Sequence, residues 1–333
     1  MKDVRDYSLK RHNTFGIDAK CSRFLQYNND EEAREAARIL RESGQPFLII
    51  GSGSNLLLTR DFDGIVVRSA LQTAMFDGDR LLCGSGLNWD DTVDQCIRHG
   101  CYGAENLSLI PGDVGACAVQ NIGAYGVEAK DIIERVWAVE IATGETRLFT
   151  REECQYGYRY SRFKGEWRNQ YLITQVGFRL SCEFRPHLDY GNIRAELERR
   201  GISEPTARQL RDVIIDIRRA KLPDPEVTGN AGSFFMNPVV ARSVYEELQA
   251  RYPDMPHYYV DEQHEKIPAG WLIEQCGWKG RRLGRAGVHD RQALVLVNLG
   301  GATGAEILTL CQAIQQDVSR QFGISLTPEV NIV

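Results

Sequence analysis

Two long stretches of the chain carry apolar residues at the spacing of an amphipathic helix. The first stripe consists of Leu210, Val213, Ile214 and Ile217. Pro223 and Pro225 follow this stripe and are expected to stop the helix near residue 222. The second stripe consists of Ile307, Leu310, Cys311, Ile314 and Val318. We expect this second helix to start at Thr303 and to end before Gly323.

Shorter patterns predict further helices and strands. Asn29 can cap a helix that carries Glu32 at its third position and ends at Gly44. Brief apolar runs at 47–50 and 64–67 predict buried strands, and alternation on both sides of Thr143-Gly144-Glu145 predicts a hairpin. Towards the end of the chain we expect helices at 242–251 and 269–276 and strands at 293–298 and 327–333.

Composition narrows the class of protein. A chain of 333 residues exceeds one ordinary core, so two or three domains are expected. Charges among the first ten residues oppose a signal peptide, and no run reaches membrane-spanning length. Nine cysteines without a CxxC pair indicate reduced thiols in the cytoplasm, and six scattered histidines indicate no metal site. A net charge of −5 gives no footprint for nucleic acid.

Two glycine-rich stretches are candidates for holding an anionic or flat ligand. The first is Gly51, Ser52, Gly53, Ser54 and Asn55, directly after the apolar run at 47–50. Its backbone N–H groups could turn toward a diphosphate, although an ordinary tight turn explains the stretch equally well. The second covers residues 109–126 and includes Gly112, Gly115 and Gly123. Together the two stretches indicate a dinucleotide held by irregular backbone, with glycine used for packing as the alternative.

Three segments carry candidate reactive groups. Arg159 lies in an aromatic and basic run at 158–164, which could also be the solvated edge of a strand. Ser233 stands between glycines and two phenylalanines, so we expect its hydroxyl to face a pocket and to be shielded from bulk water, a setting for proton transfer. Glu329 is a single carboxylate in an apolar segment and therefore requires a partner, which could be a structural arginine.

The order and spacing of these segments resemble the UDP-N-acetylenolpyruvoylglucosamine reductases over nearly the whole chain. The shared segments are residues 13–17, 51–55, 110–112, 120–126, 158–159, 221–225, 229–233, 269–274 and 328–329. The resemblance implies an α+β protein with a vanillyl-alcohol-oxidase-type FAD-binding fold. It implies FAD-binding domains at 1–70 and at 71–222 with 323–333, and a substrate-binding domain at 223–322. A monomer is usual in this family.

The resemblance also assigns ligand contacts. Non-covalent FAD is expected on the stretch 51–55 and on Gly115, Ala116, Ile122, Gly123 and Arg218. Tyr190-Gly191 resembles the subgroup with a tyrosine lid loop, called type I. In that subgroup the expected contacts to the sugar nucleotide or NADPH are Tyr190, Lys221, Asn237, Tyr258, Lys279 and Gln292. Met236 departs from relatives that have lysine, so one cationic contact is missing or is supplied by Lys279, Arg281 or Arg282.

The reaction implied by the resemblance has two halves. NADPH reduces the flavin and leaves, and the enolpyruvyl sugar nucleotide then takes a hydride at C3 in the same pocket, with ping-pong kinetics. Arg159 and Glu329 are expected at the substrate carboxylate, where arginine stabilises developing negative charge. Ser233 is expected to protonate C2. The alternatives are a related FAD-dependent oxidase and a non-catalytic nucleotide-binding module.

Overall fold

A computed structural model describes every residue from 1 to 333. Its α-helices are α1 (Asp30–Ser43), α2 (Trp89–Arg98), α3 (Val114–Gln120), α4 (Ile193–Arg199), α5 (Ala207–Lys221), α6 (Arg242–Arg251), α7 (Ala269–Gln275) and α8 (Gly304–Phe322). Short 3₁₀ turns occupy Lys10–His12, Glu105–Leu107 and Ala129–Asp131. Contacts between Cα atoms divide the chain into two compact units. We call the part built from 1–7, 21–52 and 63–220 the first unit, and the remainder the second unit.

Eleven of the twelve strands up to residue 179 lie wholly or mostly in the first unit. Strands β1 to β6 are Lys2–Ser8, Lys20–Tyr27, Phe47–Ile50, Leu56–Leu57, Phe62–Ser69 and Ala74–Asp77, of which Leu56–Leu57 belongs to the second unit. Strands β7 to β12 are Arg80–Gly84, Gly123–Ala124, Val127–Glu128, Ile133–Glu140, Thr146–Thr150 and Tyr171–Arg179. The strand order is β1-β2-β5-β3 in one sheet and β11-β10-β12-β7-β6 in an antiparallel sheet.

The first helix shows how the local sequence produces these elements. The Asn29 side chain accepts a hydrogen bond from Glu32 N–H, and Gly44 ends α1 in the left-handed conformation. Its apolar face buries Ala33, Ala36, Ala37 and Leu40 completely or nearly so. The predicted strands at 47–50 and 64–67 follow and pair in parallel. The hairpin around Gly144 is also confirmed, since β10 and β11 pair from Arg135↔Thr150 to Val139↔Thr146.

The second unit contains helices α6 to α8 and the remaining strands. Strands β13 to β16 are Gly229–Ser233, Val239–Ala241, Tyr258–Asp261 and His264–Lys266. Strands β17 to β20 are Arg282–Leu283, Ala286–Val288, Val295–Asn298 and Asn331–Ile332. They form the sheets β13-β19-β18-β17 and β14-β16-β15 and the parallel pair β20-β4. Helix α8 begins with a capping box between Thr303 and Glu306, and its predicted apolar stripe is buried.

The expected terminal strand at 327–333 is wrong in extent. Phe235 and Pro328 form an isolated antiparallel bridge, and only Asn331–Ile332 pairs as a strand, in parallel with β4. The segment changes partner and direction after Glu329, whose N–H donates to Phe234 O (2.8 Å). A single continuous strand cannot satisfy two partners of opposite direction.

None of the helices is both long and apolar enough to cross a membrane. The division into three domains at 70 and 222 remains a prediction.

Candidate active site

The glycine-rich loop after β3 begins at the edge of the first unit. A Cβ atom on Gly51 would lie 3.3 Å from both Ala116 Cβ and Asp113 Oδ2, so the backbone of this loop runs close to α3. The Ser52 hydroxyl oxygen is buried and has no hydrogen-bond partner. A buried polar atom without a partner is costly, and a bound ligand oxygen would satisfy it.

The rest of the loop belongs to the second unit. Gly53 has φ +73°, and a Cβ there would lie 2.0 Å from His12 O, so the position requires glycine. Thr14 N–H donates to Gly53 O (3.2 Å). The half-buried residues Ser54 and Asn55 follow, and Asn55 Nδ2 donates to Glu329 O (3.3 Å). Segment 13–17 therefore supports one side of the loop and the end of the chain supports the other.

The second glycine-rich stretch forms α3 and the turn after it. Gly115 N–H donates to Ser85 O (2.9 Å), and a Cβ on Gly115 would lie 2.8 Å from Ser85 Cβ. Ala116 is half-buried on the same helix. After the helix, Asn121 takes a left-handed conformation that turns the chain toward Ile122 and Gly123. Both residues are half-buried, and Gly123 begins β8.

Asn121 is fully buried and connects this turn to the segment that carries Arg159. Its Nδ2 donates to Gly157 O (2.7 Å), and its Oδ1 accepts from Lys130 N–H (3.0 Å). Asn121 belongs to the shared segment 120–126, but the resemblance implies no role for it. Its partner is thirty-six positions away in the chain, so no local pattern could have indicated the contact.

Arg159 is half-buried and is held directly against the expected cofactor segment. Its Nη2 donates to Gly123 O (2.7 Å), and a Cβ on Gly123 would lie 2.8 Å from Arg159 Nη1. The Arg159 backbone has φ +54°, and Lys164 Nζ donates to its carbonyl (3.0 Å). The run at 158–164 is thus a set of turns, with a bridge between Gly157 and Tyr160, and not the edge of a strand.

A second arginine of the same unit lies near Arg159. Arg218 projects from α5, and its Nε donates to Leu109 O (3.3 Å). Burial lowers the pKa of Arg218, a hydrogen bond with Tyr125 opposes that shift, and the positive charge of Arg159 adds to it. A guanidinium nevertheless keeps its charge in proteins. The first unit thus holds two cationic side chains close together, where an anionic group would be attracted.

Tyr125 joins this cluster to the expected lid residue. The rings of Tyr125 and Tyr190 meet edge to face, with centroids 6.4 Å apart. Asn106 Nδ2 donates both to Tyr125 O (2.9 Å) and to His187 O (3.0 Å), which connects the Tyr125 turn to the segment leading to Tyr190. Half of the Tyr190 surface is exposed. The Tyr190 ring therefore lies against Tyr125, which itself interacts with Arg218, and is still open to a ligand.

A buried carboxylate beside Gly51 was not expected from the sequence. Asp113 is only 5% exposed, and its Oδ2 lies 3.3 Å from Arg68 Nη2. Burial raises the pKa of Asp113 to about 6, and the positive charge of Arg68 only partly opposes this. Its position between Gly112 and Gly115 places it in the glycine-rich stretch and could have marked it as a candidate. Its burial could not be predicted, because its partner Arg68 lies on the distant strand β5.

In the second unit, Ser233 ends β13, which the shared segment 13–17 supports. Asn230 N–H donates to Thr14 O (3.0 Å), and Asn298 Nδ2 donates to Phe15 O (2.8 Å). A Cβ on Gly229 would lie 2.3 Å from Phe15 O. The buried Asn13 side chain closes the loop through hydrogen bonds to Leu9 O, Ile17 O and Ile17 N–H. This motif is therefore structural support for the strand that carries the serine.

The expected shielding of Ser233 by phenylalanine is wrong. Phe234 and Phe235 are 0% and 1% exposed, because their rings pack into the core of the second unit and against each other. Ser233 itself is exposed. Strand alternation explains why Phe234 points away from Ser233, whereas Phe235 lies beyond the end of β13 and forms a bridge with Pro328.

Glu329 is connected to the same strand end through its backbone. Its N–H donates to Phe234 O, the residue after Ser233. Glu329 is half-exposed, so it does not lie in the apolar surroundings that its neighbours in sequence indicated. Within the second unit, two of the three expected catalytic residues thus belong to one hydrogen-bonded backbone arrangement.

Of the expected substrate contacts in the second unit, two lie close together and three lie elsewhere. Asn237 Oδ1 accepts from Ala269 N–H (2.9 Å), and Gln292 Oε1 lies 3.2 Å from the Cβ position of Gly270, so both flank the start of α7. Tyr258 lies on β15, with Lys266 Nζ 5.5 Å from its ring centroid. Lys221 is the exposed last residue of α5, and Lys279 pairs with Glu274 (2.9 Å).

Two of the cations that could replace a lysine at Met236 differ in whether the side chain already has a partner. Arg281 stacks over the Trp278 ring (4.4 Å), whereas Arg282 is exposed on β17.

The first unit fits the diphosphate and flat ring of FAD. Glycine at positions 51, 115 and 123 lets the backbone segments of this site pack closely against one another, because a Cβ at each would contact other protein atoms. The buried Ser52 hydroxyl lacks a partner, and the arginines supply positive charge. Hydrogen-bond donors and cations of this kind suit an anionic dinucleotide.

Comparison with known proteins identifies the family. Residues 22–150 match the family model for an FAD binding domain, and residues 224–333 match the C-terminal domain of UDP-N-acetylenolpyruvoylglucosamine reductase. The chain is 51% identical to the UDP-N-acetylenolpyruvoylglucosamine reductase of Bacteroides fragilis, over 98% of this chain and 99% of that protein. It is 50% identical to that of Pseudomonas aeruginosa, over 98% and 97%.

A solved structure is similar over the same length. The reductase of Thermus caldophilus matches with a TM-score of 0.69 at 23% identity. The match covers 99% of this chain and 98% of the Thermus caldophilus chain. That likeness concerns the fold, and with the FAD binding match it confirms the expected α+β, vanillyl-alcohol-oxidase-type architecture. Given these matches over almost its full length, the chain belongs to the UDP-N-acetylenolpyruvoylglucosamine reductase family.

Proposed function

We propose that this protein uses NADPH and bound FAD to reduce UDP-N-acetylglucosamine enolpyruvate to UDP-N-acetylmuramate, a step of peptidoglycan synthesis. The observation that carries the proposal is the identity of about half of all residues, over the whole length, with relatives that bear this enzyme name. When bound, FAD supplies a ring that takes up a hydride and later gives it up. NADPH and the sugar nucleotide use the site in turn.

Arg159 stabilises the negative charge that develops on the substrate carboxylate when C3 receives the hydride. A charge-assisted hydrogen bond from a guanidinium is strongest when the donor is already in position. The bond from Arg159 Nη2 to Gly123 O supports this role, because it holds the guanidinium before substrate arrives. Arg218, close to Arg159, adds positive charge and contacts FAD.

Ser233 gives a proton to C2 and completes the reduction. Its exposure at the end of β13 supports the role, since a proton donor must reach the substrate. Glu329 assists at the carboxylate, where it acts either in its protonated form or by orienting another donor. Its backbone bond to Phe234 O supports a position fixed relative to Ser233.

The sugar nucleotide is bound by the residues that the family resemblance assigns to it. Tyr190 packs against it, and Lys221, Asn237, Tyr258, Lys279 and Gln292 contact its polar groups or those of NADPH. Asn237 supports this assignment, because its Oδ1 is already used by Ala269 N–H and its amide N–H groups are left to donate.

We further propose a monomer that resides in the cytoplasm and binds neither membrane nor nucleic acid. The nine free thiols support a reducing compartment, and the net charge of −5 is unsuited to a polyanion. Light scattering of the purified protein tests the monomer directly.

Steady-state turnover tests the function. NADPH consumption should depend on the enolpyruvyl nucleotide, and mass spectrometry should find the product heavier by two hydrogen atoms. An enzyme that consumes oxygen and an alcohol without needing NADPH would instead be an oxidase of the same fold. NADPH oxidation that is indifferent to the nucleotide would also contradict the proposal.

A further inference from the structure

An isolated antiparallel bridge in the first unit has a cysteine next to each of its two residues. Tyr102 N–H donates to Ser181 O (2.7 Å), and Ser181 N–H donates to Tyr102 O (2.9 Å). Residues that exchange both bonds form a hydrogen-bonded pair, so the adjacent pair in the register is not hydrogen-bonded. Continuation of this register by one residue would place Cys101 opposite Cys182, which lies in a bend directly after the bridge. Cα atoms of such a pair are about 4.5 Å apart with side chains on one face.

A neighbouring turn and an aromatic ring contact the two segments that the bridge joins. The turn between β6 and β7 contacts both strands, since Cys101 Sγ donates to Gly78 O (3.4 Å) and Leu180 N–H donates to Asp79 O (2.7 Å). The Phe184 ring packs edge to face on Tyr102. A Cα separation of about 4.5 Å falls within the range of roughly 4.4–6.8 Å that a disulfide spans. A disulfide therefore fits the backbone wherever Cys182 continues the register of the bridge.

The two thiols differ in their exposure. Cys182 is exposed, whereas Cys101 is only 2% exposed. Burial raises the pKa of the Cys101 thiol, and the neighbouring Cys182 adds to this. An external reagent can therefore reach Cys182 first, and Cys101 is placed to attack from within the protein.

We propose that Cys101 and Cys182 form a reversible cross-strand disulfide, with Cys182 as the thiol that reacts first and Cys101 as the resolving thiol. The oxidant is a small disulfide such as oxidised glutathione. The Cys182 thiolate attacks it, forms a mixed disulfide and releases one glutathione thiolate. The Cys101 thiolate then attacks the Cys182 sulfur and expels the second glutathione. Two protein thiols lose two electrons, and one glutathione disulfide becomes two glutathiones, which take up the two thiol protons.

The bond would act on the segment that leads to Tyr190. Cys182 is its first residue after the bridge, and His187 O, further along, accepts from Asn106 Nδ2. A covalent link would fix residue 182, where this segment begins, to Cys101, which follows α2. Hydrogen exchange of the amides between 183 and 190 should therefore slow in the oxidised protein. The inference concerns these thiols alone and does not depend on the proposed function.

The test exposes the full-length protein to oxidised glutathione, blocks remaining thiols by alkylation, and maps the peptides by mass spectrometry. The wild type should contain a Cys101–Cys182 disulfide that reduced glutathione reverses. Cys101→Ser should stop at a glutathione adduct on Cys182, because the resolving thiol is gone. Cys182→Ser should carry neither adduct nor disulfide at Cys101. Cys276→Ser, a change at a half-buried cysteine of the second unit, should behave like the wild type.

Resolution should also become faster as the pH rises, because only the thiolate of Cys101 attacks. Several results would overturn the inference. One is a wild-type protein in which both thiols stay reduced or Cys182 keeps its adduct. Another is a bond from Cys101 to the nearby Cys96, whose carbonyl accepts from Cys101 N–H. If Cys101→Ser does not fold, Cys182→Ser at the exposed position still decides between these results.

Discussion

Ser233 has an exposed hydroxyl at the end of β13, and the proposed reaction needs it only after FAD has been reduced. General acid catalysis is worth on the order of 10²–10⁴ in rate. Ser233→Ala should leave the reduction of FAD by NADPH nearly unchanged and slow reoxidation by the enolpyruvyl nucleotide at least about a hundredfold. Stopped-flow absorbance measures both half-reactions.

Ser233→Cys is the matched control, since a thiol can also donate a proton and should restore part of the reoxidation rate. Equal slowing of both half-reactions in Ser233→Ala would mean that the serine is structural. Unimpaired reoxidation would remove it as the proton donor.

Asp113 makes stability depend on pH. Burial raises its pKa from the ordinary 3.8 to about 6, so the folded protein binds this proton more tightly than the unfolded chain. Its stabilising effect is complete below pH 3.8 and is lost as the pH rises from 3.8 to about 6. A shift of roughly two units corresponds to at most about 3 kcal/mol of unfolding free energy.

Urea unfolding of the wild type and of Asp113→Asn across this pH range measures that contribution. The difference between the two curves should change between pH 3.8 and about 6 and be constant above. Parallel curves throughout would show that Asp113 has an ordinary pKa in the folded protein.

At the scale of elements, the glycine-rich loop depends on one backbone position. Gly53→Ala places a methyl group where His12 O lies 2.0 Å away and forces a residue with φ +73°. Gly44→Ala is the matched control, because Gly44 has φ +61° but no atom within 4 Å. Both changes should cost about 1–2 kcal/mol for the left-handed conformation. Only Gly53→Ala should also lower the ratio of FAD to protein measured by absorbance, and equal FAD content in both variants would contradict the role of the loop.

The segment that carries Tyr190 gives a second prediction. The Tyr190 ring is half-exposed and rests edge to face on Tyr125, so it can pack against a ligand. Tyr190→Ala should raise KM for the sugar nucleotide more than it lowers kcat, because a packing contact acts on binding. Tyr190→Phe keeps the ring and should retain most of the affinity. A loss confined to kcat would take Tyr190 out of the binding role.

Elements with caps and long stripes were predictable from the sequence. Asn29, Gly44, Thr303 and Gly323 mark helix ends through local hydrogen bonds and backbone conformation, which neighbouring residues determine. The terminal segment was not predictable, because its partners, Phe235 and Leu56, lie far away in the sequence. The contact between Arg159 and Gly123 and the burial of Asp113 were missed for the same reason.

At the scale of the whole molecule, the proposed function requires a flavin that is bound and reversibly reduced. Because FAD is expected to bind without a covalent link, acid precipitation should release all of it into the supernatant. Colour that stays with the pellet would contradict non-covalent binding.

The most direct measurement is an anaerobic titration of the yellow protein, followed by visible absorbance. Addition of NADPH should bleach the flavin, and subsequent addition of the enolpyruvyl nucleotide should restore the colour with formation of one reduced product per flavin. Bleaching without recovery on adding the nucleotide, or no bleaching by NADPH at all, would contradict the account.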